Sequence, residues 1–208
     1  MRITVLGATG RTGRHVVDLA LQAGHQVIAV TRGTVPSEVP DGLTWIEGSV
    51  LHEDTVDNAI SGSQAVIVAL GPSREAPDVC SQGTRLALDA CHRHDVQRIV
   101  VVTGAAIGHP PDHLGWWMRA MRTTWRAANP HAAHERDEQE AMVKESGLTW
   151  TLLHPPRLTE GTGGPTRIGA ALQVGANDHV DRIELARAAL DAAANGAHAN
   201  EGVAIIQS

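Results

Sequence analysis

A doubly wound parallel α/β sheet in a single domain is the fold class this sequence predicts, and three observations predict it. Apolar runs of strand length alternate with segments of helical period along most of the chain. One of the runs, RIVVVTG, is β-branched and too apolar to have a wet face, as a strand buried between two helical layers must be. The 208 residues, with no internal repeat and no linker-like stretch, fit one large domain that can bury a substantial core. Strands spaced by crossover helices then close into a parallel sheet covered on both sides.

The elements follow in order. Residues 2–7 (RITVLG) are a short apolar run ending in glycine, and 12–24 have helical periodicity with Gly24 as the stop. A second strand covers 26–32, and a third lies within 42–50, followed by the short helical stretch 52–60. Residues 65–70 are a fourth strand, 81–94 a helix, and 98–104 a fifth strand. From about 105 to 130 the alternation breaks into an insert rich in Gly, Pro and Trp, read as a lid or substrate wall. A helix over 134–146 and a strand over 149–154 follow. Residues from about 155 to 180 are irregular and are expected on the substrate side; a helix over 180–195 and a last apolar strand, GVAII, close the domain.

Composition excludes several classes. Hydrophobic residues make up 42% and charged residues 19%, the balance of a soluble globular chain rather than a disordered one. The formal net charge of −6, with no basic stripe, argues against nucleic acid as a partner. No stretch approaches eighteen apolar residues and the N-terminus runs straight into a strand, so no membrane partner and a cytoplasmic location are expected. Cys80 and Cys91 fall eleven residues apart on one predicted helix, about 16 Å at the helical rise, too far for a disulfide and consistent with reduced thiols. Phe and Tyr are absent, so aliphatic residues and alanine must fill most of the core.

Chemistry enters at VLGATGRTGRHVV. Gly7, Gly10 and Gly13 lie between the first strand and the first helix, a GxxGxxG spacing that serves a tight turn, close approach to a pyrophosphate and close helix–strand packing. The amides of residues 10–13 would face the phosphates from a helix N-terminus. That context makes the fold Rossmann-type and predicts a dinucleotide ligand. The second strand ends in Thr31-Arg32-Gly33 with no acid before Glu38, which suits a 2′-phosphate better than a free ribose hydroxyl. NADP(H) is therefore expected in preference to NAD(H); the plainer reading leaves Arg32 as a surface residue.

GATGRTG, TRG, EGSV, VALGP, IVVVTGAA and ESGLTWTLLHPPRL occur in this order over nearly the whole chain. Together they resemble the atypical short-chain dehydrogenase/reductase superfamily, and within it the NAD(P)H-binding group that includes biliverdin reductase B (flavin reductase) and NmrA-like proteins. The resemblance implies that Gly7, Thr9, Gly10, Arg11, Thr12 and Gly13 line the pyrophosphate, with Arg32 at the 2′-phosphate. It places Ser49 and Val50 beside the adenine, where relatives commonly have Asp-Val, and Leu70, Gly71 and Pro72 along the cofactor. Thr103 falls near the nicotinamide ribose, and His154, Pro155, Pro156 and Arg157 beside the nicotinamide. A monomer or weak homodimer is expected of this branch.

The departures decide the chemistry. Counting back from Ser146-Gly147-Leu148, the usual tyrosine and lysine positions fall at about Ala132 and Arg136, and the end of the fifth strand keeps a single hydroxyl, Thr103. Without the Ser-Tyr-Lys apparatus, ordinary carbonyl reduction lacks its proton donor. A flavin, quinone or tetrapyrrole-like acceptor delocalises the incoming charge and needs orientation above all. Thr103 and His154 are the catalytic candidates. His109, Trp116, Trp117 and Arg157 are the candidates for substrate contact; Trp125 could stack in the same way, and Arg119, Arg122 and Arg126 could meet an anionic substituent. The competing reading puts Trp117, Met121 and Trp125, at helical spacing, in a core. His113, His131 and His134 border the same predicted mouth, and no metal site is expected. Three functions stay open: an NADPH-dependent reductase of a planar conjugated acceptor, an NADP-sensing regulatory protein without turnover, and a tailoring ketoreductase or isomerase that uses a histidine.

Overall fold

Strand β1 (Arg2–Leu6) enters at the middle of an eight-stranded sheet, and each later strand is laid to one side of it or the other. A computed structural model describes residues 1–35, 37–73, 75–105 and 113–207. After β1 come α1 (Arg11–Gln22), β2 (Gln26–Thr31), β3 (Leu43–Glu47), α2 (Glu53–Ile60) and β4 (Ala65–Val68). The chain continues through α3 (Val79–Arg93), β5 (Arg98–Val102), α4 (Trp116–Ala128), α5 (Pro130–Glu145) and β6 (Thr149–His154). It ends with β7 (Arg157–Thr159), β8 (Thr166–Gly169), β9 (His179–Asp181), α6 (Arg182–Asn195) and β10 (Glu201–Gln207).

The strand order is β3-β2-β1-β4-β5-β6-β10-β8. All neighbours are parallel except β8, which runs antiparallel along β10. The succession moves outward from β1 to β3, then restarts at β4 on the other flank, so the order reverses between β1 and β4. In open α/β sheets a ligand crevice forms at such a switch point, beyond the carboxyl ends of the strands. β7 and β9 form a separate two-stranded parallel pair.

Alternation along the strands sends side chains into two layers. Val5, Ile67, Leu153 and Val203 pack with α1 and α6, while Leu6, Val68, Val101 and Leu152 pack with α2, α3 and α5. The largest fully buried side chains are Ile and Leu, joined by one polar residue, His154. Cys80 and Cys91 are both buried on α3 as free thiols; desolvation pushes Cys80 up to about 11 and Cys91 to about 12, which leaves both thiols protonated. Among the described residues no helix is long and apolar enough to cross a membrane.

Three regions differ from the sequence expectation. The insert holds a full helix, α4, because the period in Trp117-Met121-Trp125 is real; these residues are not core, however, being 51%, 50% and 37% exposed. Helix α5 starts at Pro130, a turn earlier than expected, since a proline at the first helical position needs no N–H partner. The stretch called irregular contains β7, β8 and β9, too short to show a period.

Candidate functional site

The glycine turn sits at the switch point. Gly7 has φ +89°, and a Cβ there would lie 2.5 Å from the Ala69 carbonyl oxygen at the end of β4. A Cβ on Gly13 would come within 2.0 Å of the Gly7 carbonyl oxygen. Only hydrogen at these two positions lets α1 close onto β1 and β4. Helix α1 has Gly10 as its N-cap with no side-chain cap, and its first turn carries no acid. Its leading amides and the positive end of its dipole therefore face outward, which is the provision an anionic ligand needs.

Beyond the turn lies a cleft of about 170 Å³ lined by Gly7, Thr9, Gly10, Arg32, Ser49, Val50, Leu70 and Gly71, with Val30, Ser73 and Val79 among its further walls. A whole small-molecule pocket is roughly 300–1,000 Å³, so this cavity suits one end of a dinucleotide rather than all of it. Pro72 stands on the exposed rim between two lining residues, and Thr12 is half-buried in the first turn of α1. Val50 packs against the core beside Leu70. The Ser49 hydroxyl accepts from the Leu51 amide at 3.2 Å, so it shapes the loop that leads into α2. Arg32 is 69% exposed, with Glu75 at 3.8 Å across the mouth. The Arg11 side chain turns away from the cleft: its Nε and Nη2 donate to Glu160 Oε1 at 3.0 and 2.7 Å, and Arg182 donates to the same oxygen at 2.9 Å.

At the carboxyl edge of β5 and β6 the backbone ladder continues past the strands, from Thr103 to Leu153 and from Ala105 to Pro155. It sets half-buried Thr103 beside buried Pro155 and half-buried Pro156. The Thr103 hydroxyl donates to Glu140 Oε1 at 2.9 Å, and His154 Nε2 donates to the same oxygen at 3.1 Å. The Lys144 ammonium reaches Glu140 Oε2 at 3.4 Å. Burial works to raise the Glu140 carboxyl, but the bond and charge of His154, with Lys144 and Thr103, outweigh it and hold the group below its ordinary value. Since a carboxylate cannot donate, the His154 proton in this bond belongs to Nε2.

His154 is thus placed differently from the expectation that it opens onto the ligand edge. It is 1% exposed, and its ring lies against β10 where Gly202 leaves room; a Cβ on Gly202 would stand 2.9 Å from His154 Cε1. Within this group Lys144 is exposed and Thr103 half-buried, while Glu140 and His154 are buried.

The positions that would carry tyrosine and lysine fall on α5. Ala132 is half-buried, and Arg136 is buried in the seam against α3, where its Nη1 donates to Gln139 Oε1 at 2.8 Å. Gln139 in turn donates to Thr84 Oγ1 and the Cys80 carbonyl oxygen, and Glu135 accepts from the Ser81 amide at 2.5 Å. Neither Ala132 nor Arg136 lines the cleft.

The proposed substrate contacts are dispersed. Trp116 and Trp117 stack edge to face, ring centroids 5.6 Å apart, on the outer side of α4 and away from the cleft walls. Arg157 is exposed on β7. His109 lies outside the described residues. His113 Nδ1 donates to the Ala170 carbonyl oxygen, His131 pairs with Asp78 at 2.7 Å, and His134 is exposed on α5. Among the described residues no cluster of three or more His, Cys, Asp or Glu could hold a metal ion.

Glu140, Glu160, Glu75 and Gly202 escape sequence reasoning. Glu140 is one acid among several on a strongly charged helix, and its only linear signal is the i,i+4 spacing to Lys144. Gly202 reads as the weak start of a strand, and the pairing of Ala204 with His154 is what gives it meaning.

Comparison with known proteins agrees with this geometry. The NAD(P)H-binding family matches residues 7–196. A 2-alkyl-3-oxoalkanoate reductase from Stenotrophomonas maltophilia (strain K279a) is 26% identical over 172 residues, 78% of this chain and 52% of that protein. The chain spans only 26% to 52% of the length of the curated reductases it matches. A short-chain dehydrogenase/reductase from Veillonella parvula DSM 2008, solved in complex with NADP, superposes with a TM-score of 0.79 at 19% identity, covering 98% of this chain and 93% of that one. The anaerobillin reductase ChuY from Escherichia coli O157:H7 gives 0.76 at 18% identity, covering 100% and 97%. A family match that starts at the first glycine of the turn and runs to the residue after α6 takes in the switch point, the cleft and the buried Glu140 group together. The chain belongs to the NAD(P)H-binding family.

Proposed function

We propose that the protein is an NADPH-dependent oxidoreductase that passes hydride to a planar conjugated acceptor such as a flavin, quinone or tetrapyrrole-like molecule. The observation that carries this reading is the interior of α5: Ala132 stands where a phenol would be expected, and Arg136 is buried and bonded to Gln139. The chain has no tyrosine with which to protonate a developing alkoxide.

Bound, the reduced nicotinamide would supply the hydride. The protein's part is to bind, to orient and to exclude water. Gly7, Thr9 and Gly10 present backbone to the pyrophosphate, and Arg32 favours a 2′-phosphate at the cleft mouth. The Thr103 proton is held by Glu140, which leaves the hydroxyl oxygen to accept from a ligand at the sheet edge. His154 stays buried beside Glu140 as a positioning residue, so the one proton that completes the hydride reduction comes from solvent. That arrangement suits an acceptor whose reduced form is a stable anion, and it disfavours a ketoreductase or isomerase that depends on histidine.

A second reading has its own support. Among the described residues the walls of the cleft offer Thr, Ser and Arg but no carboxylate, histidine or lysine, which also suits an NADP-sensing protein without turnover. NADPH oxidation followed at 340 nm with FMN, a soluble quinone and dichlorophenolindophenol separates the two. Turnover with at least one acceptor, reduced about 10-fold or more by Thr103→Ala, supports the reductase. Tight NADPH binding with no turnover on any acceptor supports the sensor, and failure to bind NADPH or NADH rejects both.

A further inference from the structure

Glu160 holds two arginines on one oxygen. Arg11 Nε and Nη2 donate to its Oε1 at 3.0 and 2.7 Å, and Arg182 Nη1 donates to the same atom at 2.9 Å. The Arg11 bond first, and then the charges of Arg182, Arg11 and His15, outweigh desolvation and hold the carboxyl below its ordinary value. It is therefore ionised at neutral pH.

The segment that presents Glu160 is anchored on both sides. Just before it, the Thr159 hydroxyl donates to Asp181 Oδ1 at 2.8 Å. Just after it, the Gly163 amide donates to Asp181 Oδ2 at 3.2 Å and the Gly164 amide to Glu184 Oε1 at 3.3 Å. Asp181 is the N-cap of α6, Glu184 lies in its first turn, and both are buried. Glu160 is thus a fixed negative charge at the head of α6, within reach of the head of α1.

The two arginines are not held alike. Each is the first residue of its helix, Arg11 of α1 and Arg182 of α6, where the helix dipole disfavours a cation and an anion close by is needed. The Arg182 side chain is 11% exposed and cannot leave Glu160 without stranding a largely buried charge. The Arg11 side chain is 63% exposed, and a pair this exposed is weak. Arg11 also follows Gly10, which lines the cleft with Gly7 and Thr9. A guanidinium on a flexible stem at that position has a second anion in range, the diphosphate of a dinucleotide laid on the glycine turn.

We propose that Glu160 and the cofactor pyrophosphate compete for Arg11, so that Glu160 limits cofactor affinity. Bound dinucleotide draws Arg11 into a charge-assisted phosphate contact, and Glu160 stays with Arg182. The inference rests on dinucleotide binding in the cleft and is independent of which acceptor is reduced. It also separates two acids by what they oppose. Glu75 faces Arg32 and acts on the 2′-phosphate, whereas Glu160 acts on NADPH and NADH alike.

Calorimetric titration of the full chain with NADPH and with NADH tests the competition. Glu160→Gln keeps an oxygen for Arg182 but removes the charge, and should bind both cofactors about 2–5-fold more tightly, the effect of losing one exposed ion pair. Arg11→Ala should bind both at least about 3-fold more weakly, and adding Glu160→Gln to it should change neither further. Adenosine 2′-monophosphate, which has no pyrophosphate, should bind Glu160→Gln and wild type equally. Should Glu160→Gln loosen α6, Glu160→Asp carries the same expectation, because it draws the charge back from Arg11 without removing it. Weaker or unchanged cofactor binding in the Glu160 variants, unequal responses of NADPH and NADH, or the same gain in the Arg11→Ala background each overturns the proposal. An equal gain for adenosine 2′-monophosphate would assign the effect to the general field of the mouth and overturn it too. A wild type that binds neither cofactor would reject dinucleotide binding itself, and the competition with it.

Discussion

Replacing Arg32 by alanine should separate the two nicotinamide cofactors. The guanidinium follows the last residue of β2, lines the cleft, and is 69% exposed, with Glu75 3.8 Å away. Two unit charges about 4 Å apart interact by about 1 kcal/mol in a water-like medium and about 4 kcal/mol near a protein surface. Exposure this high argues for the lower half of that range, about 1–2 kcal/mol, or roughly 5–30-fold in affinity. NADPH should therefore bind Arg32→Ala about that much more weakly, while NADH, without the 2′-phosphate, should be unaffected. Glu75→Ala should act in the opposite sense, tightening NADPH a few-fold by removing a competing anion, and both effects should shrink as salt screens the mouth. Titration by enhancement of nicotinamide fluorescence, run with both cofactors at low and at high salt, measures all four quantities. Equal weakening of NADPH and NADH would show that Arg32 only shapes the rim, and unchanged NADPH affinity would remove it from the site.

Three further outcomes follow from the geometry. Gly13→Ala would place a methyl group 2.0 Å from the Gly7 carbonyl oxygen, and overpacking against backbone costs at least about 1–3 kcal/mol; a melting temperature and cofactor affinity equal to wild type would contradict it. Glu140→Gln should cost about 1–3 kcal/mol at neutral pH, because His154, Thr103 and Lys144 lose a charged acceptor. Since the folded carboxyl lies below its unfolded value of about 4.3, that contribution is complete above this pH and fades as pH falls through the folded value. Melting temperatures of wild type and variant should therefore converge below about pH 4, and a gap that widens in acid would refute the sign. Gly202→Val should displace the His154 ring, which a Cβ alone would approach to 2.9 Å, and should lower thermal stability more than Gly169→Val on neighbouring β8, where a Cβ would meet nothing within 4 Å.

The strands and the glycine turn were legible because their causes are local. β-Branched runs announce β4 and β5, and Gly7 and Gly13 occur where only hydrogen fits. The two helices after β5 were less legible because each reverses the usual rule. α5 buries Glu135, Arg136, Gln139 and Glu140; Glu135, Gln139 and Glu140 meet partners on other elements and Arg136 bonds Gln139 within the helix, so its apolar pattern gives no sign of which side faces in. α4 shows its tryptophans to the outside and keeps Arg122 and Arg126 on its inner side, so its period was visible while its direction was not. His154 illustrates the same limit. Its place at the end of β6 could be read from the sequence, but its burial depends on Gly202, forty-eight residues later and paired only through the sheet.

The tryptophans of α4 also determine how this molecule can be watched. With no tyrosine or phenylalanine, all of its aromatic emission comes from five indoles, and three of them lie on one exposed helix. The other two, Trp45 and Trp150, are half-buried at strands, and the fully buried interior holds none. Emission should therefore be red-shifted in the native state and should report first on whatever approaches α4. A fluorescence-monitored melt would follow this helix rather than the sheet. Circular dichroism, which reads backbone, is the probe of the fold itself, and a gap between the two curves would measure how independently α4 loosens.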